Sequence, residues 1–234
     1  MEPYYEDDLV TLYRGDAADV LPAIDLAGVS TVIADPPYGQ TALDWDRWPD
    51  GWPSWVAANV PISASMWCFG TMRMFLTRRD EFTGAGWRIA QDTVGEFEVD
   101  TTVWEKHNGT GAQGGRFLNV HELLVQWYRG PWADVYNATP RERVHTDDKS
   151  VVRQPRPGSG HRRRPNQAIA YTDDGTRLAR SVIRAQSIRY RRRNETEKPV
   201  AIVAPHIAAS CPPGGACSLC SPDLELILWP RSSS

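Results

Sequence analysis

The chain has 234 residues, with 26 Lys and Arg against 29 Asp and Glu and a formal net charge of -3. That length supports one substantial core, or a core with an inserted module, and no apolar run reaches the roughly 18 residues of a membrane span, so no membrane association is expected. The acidic start Met-Glu-Pro-Tyr-Tyr-Glu-Asp-Asp lacks a signal-peptide core, and the four cysteines, three of them near the C-terminus, do not form a secreted disulfide framework; a cytoplasmic protein is expected.

Leu9 to Leu12 read as a short strand, followed by Arg14-Gly15-Asp16 and a helix over Ala17 to Ile24. The apolar, β-branched run Val29 to Ala34 reads as a buried strand. Asp35-Pro36-Pro37-Tyr38 ends it, because neither proline can donate a ladder hydrogen bond. An acid and an aromatic ring are thus expected on a stiff turn at the carboxyl end of a strand, where open α/β sheets bind ligands. Residues 39–50 form a polar, Trp-rich loop, in which Trp45 and Trp48 serve either to cover a ligand or to anchor the loop. Trp52 to Val60 reads as a helix, Ser65 to Phe69 as a strand and Met72 to Thr83 as a helix. Strands are expected over Trp87 to Thr93, Thr101 to Glu105 and Glu122 to Tyr128, and this alternation argues for an α/β sandwich.

The character changes after residue 130. Arg141 to Arg193 carries 15 Lys and Arg against 5 Asp and Glu, leaving the rest of the chain at -13. A basic segment on an acidic body suggests contact with a polyanion. Arg153, Arg156, Arg162, Arg163 and Arg164 are the candidates for phosphate or guanine contacts.

The order of these pieces resembles that of a known family. Leu12-Tyr13-Arg14-Gly15-Asp16, a short helix and then Val-Ile-Ala-Asp-Pro-Pro-Tyr-Gly look like the start of the circularly permuted (β-group) amino-DNA methyltransferases. Val103 to Asn108 and Arg116 through Glu122 look like that family's later catalytic-half motifs, and Asn194 to Val200 resembles its His-Pro-Thr-Gln-Lys-Pro signature, with Asn194-Glu195 in place of His-Pro. The resemblance implies an α/β fold with a Rossmann-like sheet of the S-adenosylmethionine-dependent methyltransferase kind. Residues 1–130 would be the catalytic half, 131–190 a basic target-recognition insertion, 191–215 a cofactor-site helix segment and 216–234 an atypical tail.

It further implies methyl transfer from S-adenosylmethionine to adenine N6 of double-stranded DNA, with cytosine N4 as the alternative. Asp35 before the proline pair, rather than serine, favours adenine. Asp35 and the Pro36 carbonyl would accept the two N–H bonds of the amine, Pro37 would shape the turn and Tyr38 would stack on a base flipped from the duplex. Asp16, Asp35, Thr196, Lys198 and Pro199 would line the cofactor site. No metal is implied. A homodimer, a bacteriophage origin with action in the host cytoplasm, and a restriction-modification setting are compatible with the resemblance.

The pattern breaks after Gly215. The family continues into a hydrophobic strand and a Phe-x-Gly-x-Gly loop, whereas this chain reads Ala216-Cys217-Ser218-Leu219-Cys220-Ser221-Pro222-Asp223. The sheet is therefore expected to be incomplete, through truncation or a shifted reading frame, with an open edge on the strand of Asp35, aggregation and weak cofactor binding. A catalytically inactive DNA-binding relic is the competing expectation. Two further patterns rank lower: Gly109 to Gly114 as a dinucleotide loop, and His206, Cys211, Cys217 and Cys220 as a zinc site.

Overall fold

The computed structural model describes residues 1–89, 101–110, 117–143, 175–187, 197–220 and 225–230. The chain divides into two units, Met1–Ala138 with Ser181–Ser234, and Thr139–Arg180. The first is built on one mixed sheet. Its strands are β1 (Tyr5–Glu6), β2 (Thr11–Arg14), β3 (Val29–Ala34), β4 (Ser65–Gly70), β5 (Arg88–Ile89), β6 (Thr101–Thr110) and β7 (Asn119–Tyr128). The smaller unit contributes a separate antiparallel pair, β8 (Arg141–Arg143) and β9 (Thr176–Leu178). The large sheet is completed by β10 (Val182–Arg184), β11 (Ala216–Cys220) and β12 (Glu225–Pro230).

The main sheet runs in the order β1-β2-β12-β11-β3-β4-β7-β6-β10, with β5 on β7. β11, β3 and β4 are mutually parallel, β7 is antiparallel to β4 and β6, and β10 is parallel to β6. The carboxyl ends of β3, β4, β6 and β11 therefore share one edge with the start of β7.

Side chains alternate strictly across the central strands, and both faces are buried. Val32, Ala34, Met66, Cys68, Leu123, Val125 and Trp127 face one side. There they meet α2 (Trp52–Asn59) and α3 (Met72–Gly84) through Trp52, Val56, Met74, Phe75 and Phe82. Ile33, Trp67, Phe69, Trp104 and Leu124 face the other, where Ile202 of α4 (Val200–Ser210) closes the layer. Burial on both faces explains why Val32, Ile33 and Ala34 are apolar in succession and why Thr31 is buried with them.

Local signals placed the elements well. Asp16 caps α1 (Ala17–Val20) by accepting from the Ala18 amide at 2.9 Å. The expected helix to Ile24 tightens into a 3-10 turn at Leu21–Ala23, which contains Pro22. Thr71 caps α3 by accepting from the Met74 amide at 3.1 Å. Trp48 is the anchor of its loop, edge-on to Trp52 at 5.9 Å, whereas Trp45 is 42% exposed.

One expectation is overturned. β3 has no open edge: Cys217, Ser218, Leu219 and Cys220 of β11 pair with Thr31, Val32, Ile33 and Ala34 in parallel register. The strand was illegible because its residues are small and weakly β-forming rather than β-branched. They fit because the slot is tight, with Cys217 and Ser218 both essentially buried. The inference of aggregation and weak cofactor binding from an unpaired β3 loses its basis.

His206 does not present a free ligand face. Its Nδ1 lies 2.6 Å from the Ile202 carbonyl and its Nε2 lies 3.0 Å from Thr102 Oγ1. A carbonyl only accepts, so Nδ1 carries the proton and Nε2 accepts from the threonine hydroxyl. Burial lowers this imidazole from 6.5 to about 4. The unfolded chain therefore binds one more proton in that window. The stability that neutral His206 contributes is expected to be fully present above about pH 6.5 and to fall by about 3 kcal/mol as pH drops towards 4. Urea unfolding across this range is expected to show the decline, and His206→Gln to flatten it by about one proton's slope.

Candidate active site

Five side chains converge at the carboxyl edge of the sheet. Asp35 leaves β3 on the turn made by the buried Pro36 and Pro37. Lys198 immediately precedes Pro199, the buried N-cap of α4. Its Nζ lies 2.9 Å from Asp35 Oδ1 and 3.2 Å from Glu122 Oε1. Lys106 Nζ lies 2.6 Å from Glu122 Oε2. The Tyr38 hydroxyl reaches both Asp35 Oδ1, at 3.0 Å, and Glu122 Oε1.

Strand alternation brings these groups together. Trp104 and Glu122 are direct partners across β6 and β7, and Lys106 lies two residues further along the same face of β6. Aromatic rings floor the cluster: Lys198 sits 4.9 Å from the Phe69 ring centroid, and Lys106 sits 4.7 Å from that of Trp104.

The electrostatics separate the two acids. Burial pushes the Asp35 carboxyl above the usual range; Lys198 pulls against this and Glu122 adds to it. Burial acts on Glu122 in the same sense, but Lys198 and Lys106 outweigh it and hold Glu122 below its ordinary value. Burial opposes the charge on Lys198, yet Asp35 and Glu122 keep its ammonium above the usual lysine value. Burial first, then the two carboxylates, drive the Tyr38 phenol well up, so it stays protonated. A phenol has one proton and donates to one carboxylate at a time. The second contact is relieved when Asp35, the more basic acid, carries a proton.

The loop after Tyr38 is fixed by a single carboxylate. Asp46 accepts from the amides of Gly39, Gln40 and Thr41 at 2.8, 2.9 and 2.7 Å. Burial opposes its charge, but these bonds and the Thr41 hydroxyl hold Asp46 below its usual value. Gly39 takes the left-handed conformation, with φ of 65°, at the start of this turn.

The residues singled out in the sequence divide as follows. Asp35, Pro36, Pro37, Tyr38, Lys198 and Pro199 surround the cluster. Asp16 lies on the same edge at the end of β2, three strands from β3, roughly 14 Å at standard strand spacing. Thr196 and Arg153, Arg156, Arg162, Arg163 and Arg164 lie outside the described residues, as do residues 111–116 of the glycine-rich stretch; Gly109 and Thr110 belong to β6. Glu122 and Lys106 fell within the stretches that resemble the family's catalytic-half motifs but were given no role of their own. Their signal was a lone acid opening the apolar run Leu123-Leu124-Val125 and a lysine two residues after Trp104.

The site is thus an acid on a proline turn at the carboxyl edge of a two-faced α/β sheet. The fold matches that of solved structures. The crystal structure of the M1.HpyAVI-SAM complex is 16% identical, with a TM-score of 0.52, covering 88% of this chain and 79% of that one. The crystal structure of M1.HpyAVI is 15% identical, with a TM-score of 0.51, covering 88% and 77%. No curated protein matches the chain in sequence. The DNA methylase family of N6 and N4 methyltransferases matches residues 29–217, most of the chain, and the chain belongs to that family.

Proposed function

We propose that this protein transfers a methyl group from S-adenosylmethionine to adenine N6 in double-stranded DNA. One observation carries the reading. Both contacts to Asp35 converge on Oδ1, and among the described residues Oδ2 has no partner. Oδ2 is then the acceptor for one amine N–H and the Pro36 carbonyl for the other. Together they draw the nitrogen lone pair out of conjugation and aim it. As the nitrogen took the methyl group, the bond from methyl carbon to sulfur would break, the sulfonium would leave as a neutral thioether, and one N–H proton would depart, for which the Asp35 carboxylate, its carboxyl raised by burial, is a suitable acceptor.

S-adenosylmethionine supplies an electrophilic methyl group on a cationic sulfur. The donor set fits such a molecule: carboxylates at the sheet edge complement the sulfonium, and Lys198 complements its amino-acid carboxylate. Pro199 and the start of α4 would flank it, with Asp16 further along the edge. Tyr38 would present its ring to the base while its hydroxyl stays tied to the acids. The basic stretch Arg141 to Arg193, with Arg153, Arg156, Arg162, Arg163 and Arg164, would hold the duplex. The catalytic half preceding the cofactor helix agrees with a permuted chain.

Calorimetric titration with S-adenosylmethionine, followed by mass spectrometry of nucleosides from treated DNA, tests this. Saturable binding and N6-methyladenine are expected. N4-methylcytosine would move the substrate to the alternative base. A second reading, a DNA-binding relic, is favoured by Ser221-Pro222-Asp223 standing where the family's glycine loop follows the strand. DNA binding with no calorimetric signal would select it.

A further inference from the structure

We propose that Glu122 is a positioning residue for the reaction: through Tyr38 and Lys198 it clamps Oδ1 of Asp35, which leaves Oδ2 free for the substrate amine. The inference rests on the function proposed above and deepens it.

The geometry is convergent. Glu122 Oε1 meets the same two groups that Asp35 Oδ1 meets, the Tyr38 hydroxyl and the Lys198 ammonium. Its other oxygen, Oε2, is occupied by Lys106 at 2.6 Å. Glu122 is 6% exposed at the start of β7, and its strand partner Trp104 supports Lys106 from below. It is less exposed than Asp35, at 6% against 13%, and both its oxygens are engaged by Lys106, Lys198 and Tyr38, so it acts through its neighbours.

The clamp has two consequences. Lys198 is shared between two acids, so when an amine N–H approaches Asp35, the ammonium keeps one anionic partner. No buried cation is stranded during the exchange. Glu122 also sets how readily Asp35 holds a proton. The charged and titratable groups facing Asp35 are Lys198 from the segment before α4, Glu122 from β7, Tyr38 from its own turn and Cys68 from β4. Lys106 from β6 acts through Glu122. Removing the Glu122 charge takes one anion from this set and leaves Lys198 to Asp35 alone. Both changes lower the Asp35 carboxyl.

The test compares Glu122→Gln with Glu122→Asp, each first shown to melt as a folded protein. In cofactor-free protein labelled with carboxyl-13C aspartate, and with the Asp35 signal assigned through Asp35→Asn, Glu122→Gln is expected to move the Asp35 titration down by about one pH unit. Glu122→Asp, which keeps the charge, is expected to leave it within a few tenths. In turnover, Glu122→Gln is expected to lower kcat about 10- to 100-fold, with KM for DNA and for S-adenosylmethionine within about threefold. Its acid limb is expected to follow the carboxyl titration downward. Glu122→Asp should recover part of the rate. An Asp35 titration that does not move in Glu122→Gln overturns the inference, as does equal loss of rate in both variants with an unmoved pH profile. If the parent protein methylates no DNA, the proposed function fails, while the carboxyl titration still decides the role of Glu122.

Discussion

Asp35→Ala is expected to lower methyl transfer at least about 1000-fold while DNA affinity stays within about threefold of the parent protein. In the proposed reading the variant removes the side-chain acceptor that Asp35 would offer the amine and leaves the Pro36 carbonyl to orient it. It also leaves Lys198 paired with Glu122 at 3.2 Å, so the cluster keeps a partner for its cation and the fold survives. In the proposed reading DNA affinity is insulated, because the basic stretch, apart from Asp35 in the sequence, would carry the contacts to phosphates and base edges. Asp35→Asn separates two parts of the role. Its amide oxygen still accepts one N–H but cannot take the departing proton, so an intermediate rate is expected. Single-turnover methylation with a labelled duplex makes both measurements. An Asp35→Ala rate within tenfold of the parent would remove the catalytic assignment.

Lys198→Met is expected to cost about 3 kcal/mol of stability at pH 8. The side chain is 15% exposed, and it stands between Asp35 and Glu122, which are 13% and 6% exposed. Without it Glu122 keeps Lys106, whereas Asp35 loses its only cation among the described residues. Two neighbouring carboxylates would then share a site from which water is largely excluded. The sign of the pH effect follows. Loss of Lys198 raises the folded Asp35 carboxyl further above its unfolded value, so the folded state binds more protons. The deficit is therefore largest above that raised value and shrinks as pH falls and Asp35 takes up a proton. Urea unfolding at pH 8 and pH 6 is expected to show the variant closing part of its gap to the parent at the lower pH. A gap of the same size at both pH values would mean that Lys198 contributes packing rather than charge. Activity is expected to fall as well, because a neutral Asp35 no longer accepts from the amine with full charge.

The two lysines of the cluster carry different burdens. Lys106 touches one acid and is 24% exposed, whereas Lys198 touches two. That difference links the segment opening α4 directly to the proline turn after β3. A cofactor entering beside Pro199 would meet the same lysine that holds Asp35. In the proposed reading, cofactor binding and the protonation of the acid are then coupled through one ammonium.

Much of this architecture could be read from short-range chemistry. The β-branched run Val29 to Ala34, the caps Asp16 and Thr71, and the proline pair after Asp35 each act within a few residues, so β3, α1, α3 and the turn that ends β3 appear where expected. Trp48 was ambiguous because a tryptophan serves a core or a ligand equally well until its neighbours are known; Trp52 and Phe82 make it a core residue. Glu122 fell within a stretch resembling the family's catalytic-half motifs but received no role of its own, because a single acid ahead of three apolar residues carries no period and no spacing. Its meaning comes from Tyr38, 84 positions earlier, and Lys198, 76 positions later.

The sequence by itself determined the chemistry on offer: an acid and a tyrosine on a rigid turn, a lysine before a proline-capped helix, and a basic stretch set apart from an acidic body. These follow from side-chain type and from backbone restrictions that act locally. Only the tertiary structure decided that Lys198 bridges two carboxylates and that Cys217 to Cys220 fill the slot beside β3. Charge pairing and strand pairing depend on which distant segments meet. A run of small residues becomes a strand only when a tight, already paired edge is waiting for it.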